Sequence, residues 1–581
     1  MTMSSHLSRT PADFADVRAI VSQHATPPRV LMLAAVIAFL TAIPFIPAAD
    51  STTFGLLFAG VPGLALSVVF AAAAFAIAVR RHEVRDATVA LGIFIAVGRL
   101  PVALGAPMPL YSWTYKHLGV IDYIQTHGAV SHGVDIYSGW PGAFSAIAWF
   151  CSVTGLTSVG IAQWFSIAVH IALAASAFAM ARAFKLSTTV SLVVAFIVEV
   201  ANWVGQDYLS PQAVAFVLSM AVITLLLRSI DNPKLGFLAL PVFAAVVMTH
   251  QLTPYWLILI ALILGLLKRF RPRYIGFLFI AVAGGYLLMH MDAVGGHSLF
   301  SGFDLFANAQ VNSEKFTTSD GQRFTGYAAK LTAFGLWALA AIAVVIALRT
   351  SRFARHRIVV GAVVAFSSFA LLAVQNYGGE AIYRVFMFSI PGCALLIAPL
   401  IVRALQGNLT TVRTGLVSAL GVAMIIGISL MSLQAYYGGW FSNLVSKSSY
   451  TASWDLLENA SPSTYILTPA PGAPSRMSAR YTEFAATDPF YDLSLSSWEG
   501  WYGQSFETTD VTAKMTTDLL ATDRPVYIMV TQQMKDDADY YGLYPAGSID
   551  RFADQLADNP AWEVVQASPT LQVFELRTDG A

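Results

Sequence analysis

Charge is scarce in this chain: Asp, Glu, Lys and Arg make up 12% of its 581 residues, about half the share of a soluble globular domain. Lys plus Arg total 34 and Asp plus Glu total 34, so no net charge draws the chain to nucleic acid or to acidic partners. Cysteine is nearly absent. Cys151 and Cys393 lie far apart in apolar stretches, which excludes a disulfide framework and a thiolate metal site. Internal repeats and low-complexity tracts are missing as well. What abounds is apolar: 56% of the residues are hydrophobic, many in long uninterrupted runs. The polar tail before the first run is too long for a signal-peptide n-region, and Pro47-Ala48-Ala49 is a poor cleavage site. Residues 30–48 therefore read as a retained anchor and 1–29 as a cytoplasmic tail.

A bilayer span needs about 20 apolar residues. The runs that qualify are 30–48, 53–79, 87–104, 159–181, 187–204, 210–228, 235–249, 251–268, 274–291, 327–348, 357–375, 382–403 and 413–436, about thirteen in all. A further stretch, Trp140–Leu156, is short and dotted with Gly and Ser. With the amino terminus inside and that stretch not crossing, about twenty basic residues fall in cytoplasmic loops against about five outside. Were it to cross, every later loop would invert, so it is expected to lie in the interface or to re-enter. The prediction is a polytopic α-helical membrane domain, 30–437, with an outer loop, 105–158, that carries this interfacial segment. Beyond Gly438 long apolar runs vanish. Strand-then-helix patterns at Pro525–Thr531 and Gln532–Tyr541, and a helix at Ser548–Asp558 before strands at Trp562–Gln566 and Gln572–Leu576, predict a small α/β domain over 438–581. Thirteen crossings place it outside the plasma membrane of a prokaryote.

Polar groups cluster at the outer helix ends of this topology. They lie in YSWTYKHLGVIDYIQTHGAVSHGVDIYSGWPG (Tyr111–Gly142), NWVGQDYLSPQ (Asn202–Gln212), THQLTPY (Thr249–Tyr255) and QNYGGEAIYR (Gln375–Arg384). Arg99 and Arg384 defy the positive-inside trend. They either snorkel to the outer headgroups or offer a bidentate fork to a lipid phosphate, and Glu380, one turn before Arg384, is placed to pair with it. Asp122 and Asp135 are the carboxylates of the long outer loop; each is a candidate base or a solvated, helix-capping acid. Asp207, after Gln206, is a third candidate base, or holds the turn into the next span. Lys116 and His117 precede Asp122 and are candidate substrate contacts. His250 beside Gln251 is a substrate contact or satisfies backbone at a helix break near Pro254. Glu199, inside a span, is paired within the bundle or part of a proton path. His117, His127 and His132 with the loop aspartates match no recognised metal spacing.

A large acidic outer loop, an apolar many-span bundle and a soluble outer tail together resemble the GT-C class of membrane glycosyltransferases, and NWVGQDYLSPQ and YGGEAIYR are similar to segments of its bacterial and archaeal members. The resemblance covers the whole chain in architecture. It implies transfer of a sugar from a polyprenyl-phosphate donor to a glycan, lipid or protein acceptor at the outer face. The lipid-linked donor would be co-substrate and membrane lipid a partner; no cofactor is required and a divalent metal is compatible. In that class the catalytic acid lies on the first outer loop, usually after the first span and often in a paired-acid motif. Here the large loop follows the third span, and Asp122 has no acidic neighbour. A phosphate leaves as an anion and needs no general acid, so one carboxylate base suffices, unlike the pair a glycosidase uses. The rival readings are a lipid or polysaccharide flippase, a polysaccharide polymerase or ligase, and a non-catalytic scaffold. A flippase calls for charge and broken helices at mid-bilayer.

Overall fold

The computed structural model describes residues 26–291, 319–350, 355–373, 380–407, 412–498, 505–506 and 508–577. Eight helices among them are long and apolar enough to span a membrane: Pro27–Phe45, Val84–Gly105, Ser158–Ala183, Pro211–Arg228, Asp320–Arg349, Arg355–Ala373, Ala381–Leu405 and Gly415–Tyr437. Six shorter apolar helices are Leu64–Arg80, Gly142–Thr154, Thr188–Ala201, Lys234–Thr249, Thr253–Leu266 and Ile275–Met289. The chain is a polytopic α-helical membrane protein.

Local chemistry explains where the helices start and stop. The run expected over 53–79 opens with a 3₁₀ turn, Leu56–Phe58, and becomes α-helical only at Leu64. The reason is a Gly-Pro-rich entry in which Gly55, Gly60 and Gly63 all take positive φ, a region that an L side chain disfavours. In the bundle, hydroxyls cap helix starts at Thr157, which accepts from Gly160, at Ser187, from Val190, and at Ser210, from Ala213. At the other end of Val84–Gly105 the Gln163 amide donates to the carbonyls of Ala103 and Ala106, both at 2.9 Å, which satisfies acceptors that the helix itself leaves open. Small residues and stacked rings fill the bundle core, with Phe75 on Phe196 at 4.1 Å and Trp256 on Phe388 at 4.6 Å. Leu33, Leu40, Phe277, Leu331, Phe334 and Leu420 are exposed on its outside, as suits contact with lipid.

Helix Gly142–Thr154 has 13 residues. At 1.5 Å per residue it reaches about 20 Å, short of the roughly 30 Å hydrocarbon core. It buries Phe144, Ala148 and Cys151 and exposes Trp149, Phe150 and Val153.

The carboxy-terminal part carries a four-stranded sheet of order β1-β2-β4-β3, built from Tyr465–Leu467, Val526–Thr531, Trp562–Ser568 and Leu571–Leu576 in chain order. β1 runs parallel to β2, whereas β4 is antiparallel to both β2 and β3. Helices Gln532–Tyr541 and Ser548–Asp558 follow β2 as the sequence patterns predict. The patterns did not reveal that this domain shares one core with loop 105–158. Tyr115, Leu118 and Ile121 of helix Ser112–His127 pack with Leu457, Ile466, Tyr481 and Phe484. Gly119 makes the approach possible, because a Cβ there would overlap the Arg476 carbonyl oxygen. Gly119→Ala is expected to loosen this docking. Limited proteolysis of the full chain should then cleave the carboxy-terminal domain at least several-fold faster, and an unchanged cleavage rate would rule out the close approach.

Candidate functional site

Four charged or titratable side chains from separate segments meet inside the bundle, and all are at most 3% exposed. The Arg99 Nε donates to Glu199 at 3.0 Å, and its Nη2 donates to the carbonyl of Asn202 at 3.1 Å. The guanidinium lies 4.1 Å from the centre of the Tyr436 ring. His170 Nδ1 is 2.6 Å from the second Glu199 oxygen, and its Nε2 is 3.3 Å from Asp207. That same Asp207 oxygen accepts from the Ser166 hydroxyl and from Tyr436 at 2.7 Å. Burying one uncompensated charge costs several kcal/mol; here cation and anion alternate, so each has a partner.

This geometry decides between sequence expectations. Arg99 does not snorkel, because it is 2% exposed and turned inward to Glu199. Asp207, read as a base or as a turn-holding residue, points into the bundle instead, where His170, Ser166 and Tyr436 meet its Oδ2, while Ser210 caps the next helix. Glu199, left open between pairing and a proton path, is paired. His170 and Ser166 were missed by sequence reasoning, although a lone histidine amid an apolar run was a usable signal.

Several buried polar atoms at this end of the bundle have no hydrogen-bond partner among the described residues: Arg99 Nη1, Asp207 Oδ1, Asn202 Oδ1, Gln212 Nε2 and His117 Nε2. Each costs about 1–3 kcal/mol if left unmet, so the set marks where water or a polar ligand belongs. Gln206, just before Asp207, is half-buried, and its carbonyl accepts from the Ser210 hydroxyl at 2.7 Å.

The residues of loop 105–158 face the carboxy-terminal domain. Asp122 accepts the Ala479 amide at 2.7 Å; burial pushes its carboxyl above the usual range, against the opposing pull of that amide. Asp135 caps the turn Ile136–Gly139 by accepting the Tyr137 amide at 2.8 Å, and its other oxygen accepts the Tyr481 hydroxyl at 2.8 Å. His117 is bound through Nδ1 to the Leu209 carbonyl at 2.7 Å, and burial holds its imidazole down at about 3. The Lys116 ammonium sits 5.4 Å from the Trp113 ring centre and 5.2 Å from that of Tyr137, and burial lowers its pKa, partly countered by Asp135. His127 stacks on Tyr123 at 4.1 Å. Among the described residues no three His, Cys, Asp or Glu side chains converge in a metal-binding group.

At helix Ala381–Leu405 the buried Arg384 pairs with Glu380, which remains half exposed. His250 takes the backbone role: its Nδ1 accepts the amides of Leu252 and Thr253 at 3.3 Å, at the break before Pro254. Gln375, Asn376, Tyr377, Gly378 and Gly379 of the QNYGGEAIYR segment lie outside the described residues.

A cavity of about 90 Å³ lies where Ser51, Thr52 and Thr53 meet Gly438, Ser442, Asp536, Asp539 and Tyr540. Ser51 donates to Asp536 at 2.7 Å, and burial raises the carboxyls of Asp536 to about 6 and Asp537 to about 7. Asp50, next to this cavity and directly after the first span, is exposed; sequence reasoning passed it over in favour of the longer loop.

The fold and site define a multi-pass membrane protein whose polar centre lies at one end of a helical bundle, beneath a docked α/β domain. No protein-family model and no curated protein matches the sequence. Among solved structures the chain is similar to the Archaeoglobus fulgidus oligosaccharyltransferase tethered with an acceptor peptide containing an NVT sequon. The TM-score is 0.48 at 10% identity, over 84% of this chain and 72% of that one. It is also similar to ArnT from Cupriavidus metallidurans. The form bound to undecaprenyl phosphate gives a TM-score of 0.47 at 11% identity, over 84% of this chain and 98% of that one. The apo form gives 0.46 at 11%, over 85% and 98%.

Proposed function

We propose that this chain is a membrane glycosyltransferase that moves a sugar from a polyprenyl-phosphate-linked donor to a glycan, lipid or protein acceptor of the cell envelope. The observation that carries the reading is the set of unmet buried donors and acceptors around Arg99, Asp207, Gln212 and His117, gathered at the bundle end that the soluble domain covers. A flippase would want such groups near the bilayer middle; a scaffold would have no use for them.

In this reading the amino terminus is cytoplasmic, the bundle crosses about thirteen times and the site opens to the outer leaflet. Arg384 makes the main contact to the donor phosphate, through the planar fork that suits it. Arg99 is the lesser one, because most of its donors are committed to Glu199 and to helix-end carbonyls. Asp122 is the base that removes the acceptor proton. Its Oδ2 is held by Ala479, which orients the group, and its raised pKa makes it a stronger base. Asp135, with both oxygens engaged, stands second. Asp207 stands third, and its hydrogen bonds fit a positioning role. A single displacement by the activated hydroxyl inverts the anomeric carbon.

The test is a transfer assay with purified protein, labelled polyprenyl-phosphate sugars and a native lipid extract. Label should pass to a new acceptor. Arg384→Ala should raise the apparent donor KM about 10–100-fold, the worth of a charge-assisted hydrogen bond, and Arg384→Lys should restore little of it. Movement of the donor across vesicles without transfer would replace this reading with the flippase.

A further inference from the structure

The outer-loop helix Ser112–His127 presents a buried histidine whose second nitrogen is unaccounted for. Nδ1 of His117 lies 2.7 Å from the Leu209 carbonyl oxygen, an atom that only accepts, so the proton sits on Nδ1 and Nε2 of the neutral ring carries a lone pair. His117 is 2% exposed and Nε2 has no donor among the described residues. Around the ring stand Tyr137, perpendicular to it at 5.0 Å, Phe144, tilted at 5.3 Å, and Tyr208, stacked at 5.6 Å. One residue earlier on the helix, the half-buried Lys116 ammonium lies between the Trp113 and Tyr137 rings. Asp135 and Asp492 stand near enough to favour its charge, but each is already engaged, Asp135 by Tyr137 and Tyr481 and Asp492 by Arg476. Trp113, on the same helix, is 55% exposed.

An acceptor that wants a hydroxyl, a cation that wants an anion, and flat apolar walls between them are complementary to one ligand class. We propose that Lys116 and His117, with the faces of Trp113 and Tyr137, bind a sugar ring that carries an anionic group. Lys116 meets the anion, His117 Nε2 accepts a ring hydroxyl, and the rings cover the C–H face of the sugar. This rests on the glycosyltransferase reading for its biological sense. The same chemistry is offered by the phosphate-bearing sugar of a donor and by an acidic acceptor glycan.

Three probes separate these sources: a hexose 1-phosphate, a uronic acid methyl glycoside and a neutral methyl hexoside. Binding of each to the full chain in nanodiscs is followed by saturation-transfer NMR. His117→Asn keeps an amide able to donate to Leu209 and deletes the Nε2 acceptor, so it should weaken all three probes about tenfold. Lys116→Met, at a half-buried position, should weaken the two anionic probes about tenfold and abolish their salt dependence, leaving the neutral probe unchanged. Preference for the 1-phosphate assigns the site to the donor; preference for the uronide assigns it to the acceptor. Wild-type binding of all three probes in both variants would mean that Nε2 holds a buried water only, and would overturn the proposal. Absent transfer by the native protein, with probe binding still lost in His117→Asn, would remove the glycosyltransferase reading and leave the site standing. Normal transfer with unchanged binding in both variants would remove the site alone.

Discussion

Asp122→Asn is expected to lower turnover by about 10²–10⁴-fold, the usual loss when a general base is removed, without loosening the fold. The asparagine oxygen can still accept the Ala479 amide that now binds Asp122, so docking of the outer loop on the carboxy-terminal domain survives. The thermal unfolding midpoint of the variant in detergent should match that of the native chain. The pH profile supplies a second readout. Burial raises the Asp122 pKa, and a base acts only when deprotonated. Activity should therefore fall with decreasing pH at a value above the ordinary carboxylate range, and the Asn variant should lose that limb. Should Asp135→Asn be the inactive variant while Asp122→Asn turns over normally, the assignment moves to Asp135. If both remain active, the exposed Asp50 beside the Ser51 and Asp536 cavity is the next carboxylate to change.

Glu199→Gln should produce the largest loss of stability, about 3–5 kcal/mol, as expected when one member of a buried ionic network is removed and its partners stay charged. Glu199 faces Arg99 through one oxygen and His170 through the other, so a single neutral amide strips Arg99 of its paired carboxylate and leaves His170 with Asp207 alone. The expected result is a sharply lower unfolding midpoint and poor yield. Arg99→Met combined with Glu199→Leu should recover most of the loss, because an apolar pair of similar volume needs no compensation. A single variant as stable as the native chain would mean that the network is hydrated and its charges are screened by water.

The elements were legible where the cause is local. Val526–Thr531 followed by Gln532–Tyr541 was readable because β-branched residues give way to a polar stretch behind the Thr531 cap. The Gly-Pro entry before Leu64 was readable in principle, yet hydropathy averaging extended the span across it. For the site, residue types were visible but roles were not. Asp135 and Asp122 looked alike on one loop, and only docking gives Asp135 two partners while Asp122 keeps one oxygen open. His170 was overlooked because a single polar residue hardly moves the average of an apolar run.

By itself the sequence determined that this is a many-helix membrane protein and that strands and helices of a small sheet follow its last long apolar helix. Those properties are sums over neighbouring residues, since transfer of a helix into hydrocarbon is decided by its own side chains. The tertiary structure alone decided which polar groups meet. Arg99 finds Glu199 100 residues away, and Asp122 finds Ala479 357 residues away. Such partners are chosen when helices pack and a buried charge must be met by whatever the facing segment presents, and no local pattern in the chain records that choice.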